Sequence, residues 1–390
     1  MSLPLSYSLR NLWVRKGTTL ATTAAVALVV FVFCASLMLE GGVRQTLMSS
    51  GSRDVAIVMH QSATAEIASN LPQAVFGLVA SAPGIEKGPE GTALVTSEAV
   101  RSLQFQSLDG SRVASLQVRG VSENVLSLRP DVRVISGRRA TPATDEAMIG
   151  TRVAGRYRGL QLGGEVDMNK GRRLKVVGVF EASGSAFESE IWADLHSVQT
   201  TTESDGYISS VTARLEPDAF ETFARTIQDG HREEGLIVER ESQYYERLSR
   251  GLAGMILVLG GMVSGIFSLA AMLGAAIAMY AAVERRTREV GVLRSLGFGR
   301  RDILLAFILE AMGISLVGTA FGLLLAMSTA ALEFAVGNSA AFGIEVRLRF
   351  VPSLSTLAPC AFAGLSLGVV GGLFPALRAS RIDPLRALRA

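Results

Sequence analysis

Four stretches of this 390-residue chain hold no charged residue: 18–39, 251–283, 311–332 and 350–377, with 22, 33, 22 and 28 residues. About 20 residues of helix, rising about 1.5 Å each, cross the roughly 30 Å of hydrocarbon in a bilayer. Lipid offers no partner to a backbone N–H or C=O, so segments of this kind must close their own hydrogen bonds as helices. The first run follows Arg15 and Lys16, as a signal peptide would. Its apolar stretch is long for a signal and no small-x-small cleavage site follows cleanly, so it reads as an uncleaved anchor.

Composition agrees with a chain divided between membrane and water. Hydrophobic residues make up 49% and charged residues 19%, with a mean hydropathy of +0.35. Cys34 and Cys360 both fall in apolar runs and read as buried free thiols, with no disulfide framework. His60, His196 and His231 are scattered without ligand spacing, so no metal site is expected.

Basic residues orient the spans. Arg10, Arg15 and Lys16 precede the first; Arg285, Arg286, Arg288, Arg294, Arg300 and Arg301 lie between the second and third; Arg378, Arg381, Arg386 and Arg389 follow the fourth. Both termini and the 284–302 segment are therefore expected in the cytoplasm. Region 40–250, with 23 Lys and Arg against 28 Asp and Glu, a net −5, is expected outside. The chain reads as an α-helical membrane protein with four transmembrane helices and a large α+β extracytoplasmic domain inserted between helices 1 and 2. Its parts are a cytoplasmic amphipathic helix (1–17), spans at 18–39, 251–283, 303–332 and 350–377, the outer domain (40–250), a cytoplasmic helix (284–302), a short outer loop (333–349) and a cytoplasmic tail (378–390). In a bacterium this arrangement puts the chain in the inner (plasma) membrane, with the outer domain in the periplasm or on the outer surface.

The two ends of the outer region look alike. "DVAIVM" (54–59) reads as a strand and "PQAVFGLVAS" (72–81) as a short helix. "SSVTARLE" (209–216) reads as a strand. "PDAFETFARTIQ" (217–228) places Phe220, Phe223, Ala224 and Ile227 on one helical face, and "GLIVER" (235–240) reads as a closing strand. Two βαβ halves, one from each end, would pair into one subdomain. A β-rich insert at about 100–200, with "RVASLQVRG" and "RRLKVVGVFEA" as its clearest strands, would stand between them. The alternative is one irregular domain without that division.

Several chemistries are missing. A P-loop needs a lysine after glycine to cradle phosphates, and none of Lys16, Lys87, Lys170 and Lys175 follows a glycine. No Gly-x-Ser-x-Gly elbow, His-Glu-x-x-His helix or Cys-x-x-Cys pair occurs. The chain reads as a non-catalytic subunit with no cofactor of its own. The acidic pairs Asp145–Glu146 and Glu233–Glu234 read as solvated faces. Glu310 is the one charge set within an otherwise apolar stretch, near the cytoplasmic end of its span. No ionic relay of the kind used by gradient-driven transporters is visible.

The segment "VERRTREVGVLRSLGFGRRD" (283–302) carries nine charges, six of them arginine. Val290, Leu293 and Leu296 recur three apart and predict an apolar strip on a short helix, with Arg288, Glu289 and Arg294 around it. Gly297 stops that helix, Gly299 turns the chain and Asp302 opens the next. One reading is a lipid-hugging loop that sets topology. The sharper reading is a docking helix for a cytosolic partner, attached directly to two spans.

The segment "VERRTREVGVLRSLGFGRRDI" resembles the signature of the MacB/FtsX/LolC-type (type VII) permease family of ABC transporters. "GVVGGLFPALRASRIDPLRALR" (368–389) is similar to that family's fourth span, Pro-Ala break and basic tail. "VISGRRATPATDEAMIGTRVAGRYRGLQLGGEVDMNKGRRLKVVGVF" (134–180) resembles its periplasmic core. The resemblance implies a dimeric membrane unit, homodimeric or formed with a related permease, and an ATPase in a partner chain that binds the ATP. It places Glu289, Gly291, Arg294 and Gly297 in a coupling helix seated on that ATPase; Arg288, Val290, Leu293 and Leu296, read above from their spacing, belong to the same helix. It also implies an N-terminal helix, "LSYSLRNLWVRKG", lying on membrane lipids, and it leaves room for a periplasmic adaptor. Nothing points to nucleic acid.

Gly261 and Gly265, four apart on the second span, suit close helix approach, and the resemblance suggests a dimer seam there. Gly364, Gly368 and Gly372 repeat the spacing on the fourth span, where packing within the protomer is the expectation. The function implied is ATP-driven export or extraction of a substrate from the periplasm or membrane. The alternative is a mechanical signalling subunit acting on an outer partner such as a cell-wall hydrolase.

Overall fold

The computed structural model describes residues 16–88, 91–168, 171–336 and 346–382. The amphipathic helix expected over 1–17 lies almost wholly outside the described residues, as does most of the 378–390 tail. In chain order α1 (Lys16–Met48) leads to β1 (Val55–His60), a 3-10 turn (Glu66–Ala68), β2 (Leu71–Pro72), α2 (Val75–Ala80), β3 (Val95–Gln106) and β4 (Val113–Val121). Next come α3 (Val125–Leu128), β5 (Arg133–Gly137), β6 (Glu146–Gly150), β7 (Glu165–Asp167), β8 (Arg173–Glu181), a second 3-10 turn (Ala186–Ser189), β9 (Glu190–Asp194) and α4 (Leu195–Thr201). Then follow β10 (Tyr207–Ile208), β11 (Ser210–Arg214), α5 (Phe220–Gly230), β12 (Leu236–Arg240), α6 (Glu241–Arg285), α7 (Thr287–Ser295), α8 (Arg300–Ser328), β13 (Glu333–Val336), β14 (Val346–Arg349) and α9 (Leu354–Ser380).

The chain forms two compact units. Among the described residues, one comprises 16–42, 253–332 and 349–382; the other comprises the described residues of 43–252 together with 333–336 and 346–348. Helices α1, α6, α8 and α9 are each long and apolar enough to cross a membrane. Each passes at least one end of its uncharged stretch. Helix α1 continues past residue 39 because Val43 and Leu47, four apart, are buried at 1% and 5% exposure and keep the helical face apolar. Helix α6 starts at Glu241 rather than 251; its 45 residues span about 68 Å at the usual rise. Helix α9 runs through Pro375 to Ser380 where a break was expected. Pro375 has no N–H to give the Gly371 carbonyl, yet the helix continues past it. The 333–349 segment was expected as a plain loop, yet β13 and β14 pair as a two-stranded sheet.

The helical unit packs through its small residues. On α8, a Cβ at Gly318 would lie 2.9 Å from the Val26 Cβ, and one at Gly322 2.8 Å from the Val30 Cβ, both on α1. On α9, a Cβ at Gly364 would lie 2.2 Å from Thr319 Oγ1, and one at Gly368 2.4 Å from the Ser315 Cβ. The Ser315 hydroxyl donates to the Gly364 carbonyl at 2.5 Å. Close backbone approach therefore stands in for the hydrophobic drive that lipid does not supply.

The α+β unit is built on one ten-stranded sheet in the order β12-β1-β11-β3-β4-β9-β6-β8-β5, with β7 also on β8. Neighbours are antiparallel except β4–β9 and β6–β8. Strand β1, from the start of the region, lies between β11 and β12, from its end. Phe220, Phe223, Ala224 and Ile227 of α5 are buried against the sheet core. No break occurs at about residue 100: β3 pairs with β11 on one side and β4 on the other, so the expected insert shares the sheet of the two halves. A strand of 12 residues has ladder groups enough for both neighbours, and this couples the two parts.

Candidate functional site

Helix α7 is the nine-residue link between α6 and α8. Arg286 precedes it, and Leu296 and Gly297 end it, with Gly297 at φ +96 reversing the chain where a side chain would be strained. The Asp302 carboxylate accepts from Gly299 N at 2.9 Å and caps the start of α8.

The helix has two distinct stripes. Residues 286, 290 and 294 face inward. Arg286 Nη1 donates to Glu310 Oε2 at 3.1 Å. Val290, 3% exposed, packs with Ile303, Phe307, Ala376 and Ala379. Arg294 Nη1 donates to the carbonyls of Ser380 at 3.0 Å and Ile382 at 3.4 Å, at the end of α9. Residues 288, 292 and 296 face outward: Arg288 is exposed, Val292 is 42% exposed and Leu296 69%. Glu289 is exposed, Leu293 is half-buried and Gly291 is buried.

This corrects the strip expected from sequence. Val290, Leu293 and Leu296 do not share one free face, because Val290 is a core residue of the helical unit. Spacing three apart places the residues on neighbouring positions of a helix but does not say which way the stripe turns. The available apolar surface is Val292 and Leu296, flanked by Arg288 and Glu289.

Gly261 and Gly265 lie on an open face of α6. A Cβ at either would meet nothing within 4 Å, in contrast to Gly318 and Gly322 of α8 and Gly364 and Gly368 of α9. Around them Val258, Met262, Ile266, Leu269 and Leu273 are all more than 60% exposed.

A second constellation went unread in the sequence. Inside the α+β unit Arg119, 1% exposed, meets Glu66 at 3.0 Å, Glu190 at 2.8 Å, and Glu98. Arg129 meets Glu98 at 3.1 Å and also Glu241, the first residue of α6. Phe187 lies under both guanidinium groups, with centroid distances of 5.3 and 4.4 Å. Burial pushes the Glu98 carboxyl up, but Arg129 and Arg119 outweigh it and hold the group at about 2. Glu190 moves the other way: burial raises it and Arg119 only partly offsets the rise. This cluster fastens the first turn of α6 to β3, β4 and β9. The weak signal for it was charge at strand positions such as Glu98 and Glu190, beside apolar neighbours.

Residues 17–229 match the MacB-like periplasmic core domain, and residues 261–384 match the FtsX-like permease C-terminal domain. The macrolide export ATP-binding/permease protein MacB of Brucella abortus is 31% identical over 225 residues, covering 55% of this chain and 33% of that protein. The chain thus spans about a third of the length of this relative. The ABC transporter permease YvrN of Bacillus subtilis is 25% identical over 421 residues, covering 98% of this chain and 96% of the relative. The periplasmic region of MacB from Actinobacillus actinomycetemcomitans aligns over 51% of this chain and 94% of that structure, at 14% identity and a TM-score of 0.38. With more than half its length in the periplasmic-core match and the FtsX-like match following it, the chain belongs to the MacB/FtsX-type family of ABC transporter permeases.

Proposed function

We propose that this chain is the transmembrane subunit of an ABC transporter, driven by a separate cytosolic ATPase that seats against α7. The carrying observation is the division of α7: an inner stripe held by the spans and an outer stripe, Arg288, Val292 and Leu296, left exposed. An exposed apolar pair rimmed by charge suits a partner surface. Arginines crowd both sides of this helix, which supports a cytoplasmic position for it and for both termini, with the MacB-like domain outside. The open Gly261–Gly265 face supports pairing with a second copy or a related permease. The relative named for macrolide export and ATP binding supports export or extraction, with ATP bound by the partner rather than by this chain.

The test is co-purification. The tagged wild-type chain should bring down an ATPase from its native membrane and stimulate it in nanodiscs. Leu296→Asp should insert normally yet lose the ATPase, because binding would bury an unpaired charge. Retention and stimulation undiminished by Leu296→Asp would rule out α7 as the contact.

A further inference from the structure

The inner stripe of α7 consists of three ties spaced four residues apart, and each reaches another part of the helical unit. Arg286 and Glu310 are 11% and 8% exposed, so the ion pair is almost closed to solvent. Glu310 belongs to α8, within a membrane-length helix, where a carboxylate without a partner is costly. Arg294 reaches the carbonyl of Ser380, the last residue of α9, and that of Ile382 just beyond it, at the end of a helix that carries partial negative charge. Val290, between Arg286 and Arg294 on the stripe, is buried in one apolar cluster with residues of α6, α8 and α9. A helix that served only as a flexible topological loop would need none of them.

We propose that Arg286, Glu310 and Arg294 are positioning residues that make α7 one rigid body with the third and fourth spans. A displacement applied to the outer stripe then moves α8 and α9 directly instead of being absorbed at the α6–α7 and α7–α8 turns. The transmission role rests on the coupling reading above; the rigidity of the joint does not.

Two measurements separate these. In the full chain in nanodiscs, spin labels at Ser295→Cys on α7 and Leu305→Cys on α8 report the joint, since both positions are exposed while Cys34 and Cys360 are sealed at 0% exposure. The wild-type background should give one narrow distance distribution. Glu310→Gln, which leaves Arg286 without its counter-charge, should broaden it at least twofold. With the ATPase that co-purifies with the wild-type chain, Glu310→Gln should retain binding but lose stimulation about tenfold. The double variant Arg286→Met/Glu310→Leu controls for folding, because apolar replacement of a buried pair commonly preserves stability. It should recover thermal stability while stimulation stays low; recovery of both would mark the pair as structural only and overturn the proposal. An unchanged distance distribution in Glu310→Gln beside a retained ATPase overturns the ties. A wild-type chain that retains no ATPase overturns the coupling reading, whatever the distances show.

Discussion

Trp192 Nε1 donates to Glu190 Oε2 at 2.7 Å, and the same oxygen accepts from Arg119 Nε at 2.8 Å. All three residues are buried. Trp192 is therefore an internal reporter for the charge cluster at the base of α6.

Arg119 holds three carboxylates, and its removal leaves them buried without that cation. Breaking a buried pair in this way costs about 3–5 kcal/mol. Arg119→Met should lower the stability of the MacB-like domain by at least that order. Trp192 fluorescence during denaturant unfolding measures it, in a Trp13→Phe background that leaves one tryptophan of the two. A loss below about 1 kcal/mol would contradict the cluster's role.

The two opposed carboxyl shifts give opposed pH dependences. Glu98 is lowered from 4.5 to about 2, so the unfolded chain binds a proton in that window that the folded chain does not. Its stabilisation is complete above pH 4.5 and is lost as the pH falls through about 2. Glu190 is raised, so its contribution is complete below its ordinary value and declines as the pH rises through the folded value. Glu98→Gln should flatten the acid limb of a stability–pH curve, and Glu190→Gln should flatten the decline above pH 4.5. Urea midpoints across pH, read from Trp192, decide both.

Two sets of glycines should respond differently. At Gly322 a Cβ would approach the Ala27 carbonyl oxygen to 2.6 Å, whereas at Gly261 it meets open space. Gly322→Leu should separate α8 from α1 and cost about 1–3 kcal/mol or more through overpacking. Gly261→Leu should leave the thermal unfolding of the protomer unchanged and weaken self-association or pairing with a related permease. Thermal unfolding together with crosslinking through cysteines at 257–268 tests the contrast.

Val290 and Leu296 are six residues apart on neighbouring turns, yet 3% and 69% exposed. Val290→Asp should destabilise the helical unit and reduce the amount of chain in the membrane severalfold, by burying a charge among Ile303, Phe307 and Ala379. Leu296→Asp should leave that amount within about 20%, as surface substitutions commonly do. Quantifying membrane-inserted protein for both variants checks the assignment of the two stripes.

Local pattern accounts for much of what is seen here. Uncharged runs of 22 residues or more determine membrane-length helices, because lipid permits few other backbones. The apolar face of Phe220, Phe223, Ala224 and Ile227 follows from helical period alone, and the end of α7 follows from the positive φ that Gly297 adopts. Helices continue past the charge boundaries, as α6 does to Glu241, because tertiary contacts on Tyr244 and Tyr245 favour further turns that hydropathy does not register.

Direction and partnership are different matters. Period places Val290 on a stripe, but only the packing of α8 and α9 decides that the stripe turns inward. Arg119 finds Glu66 across 53 residues and Glu190 across 71, and Arg129 finds Glu241 across 112. No local spacing encodes such pairs; they exist because the sheet order brings β3, β4 and β9 together beside the first turn of α6. Which segments must be helix in lipid, and which faces are apolar, depends on neighbours a few residues away and can be read along the chain. Which charges are buried together, and which face of α7 stays exposed, depends on segments that meet only after folding.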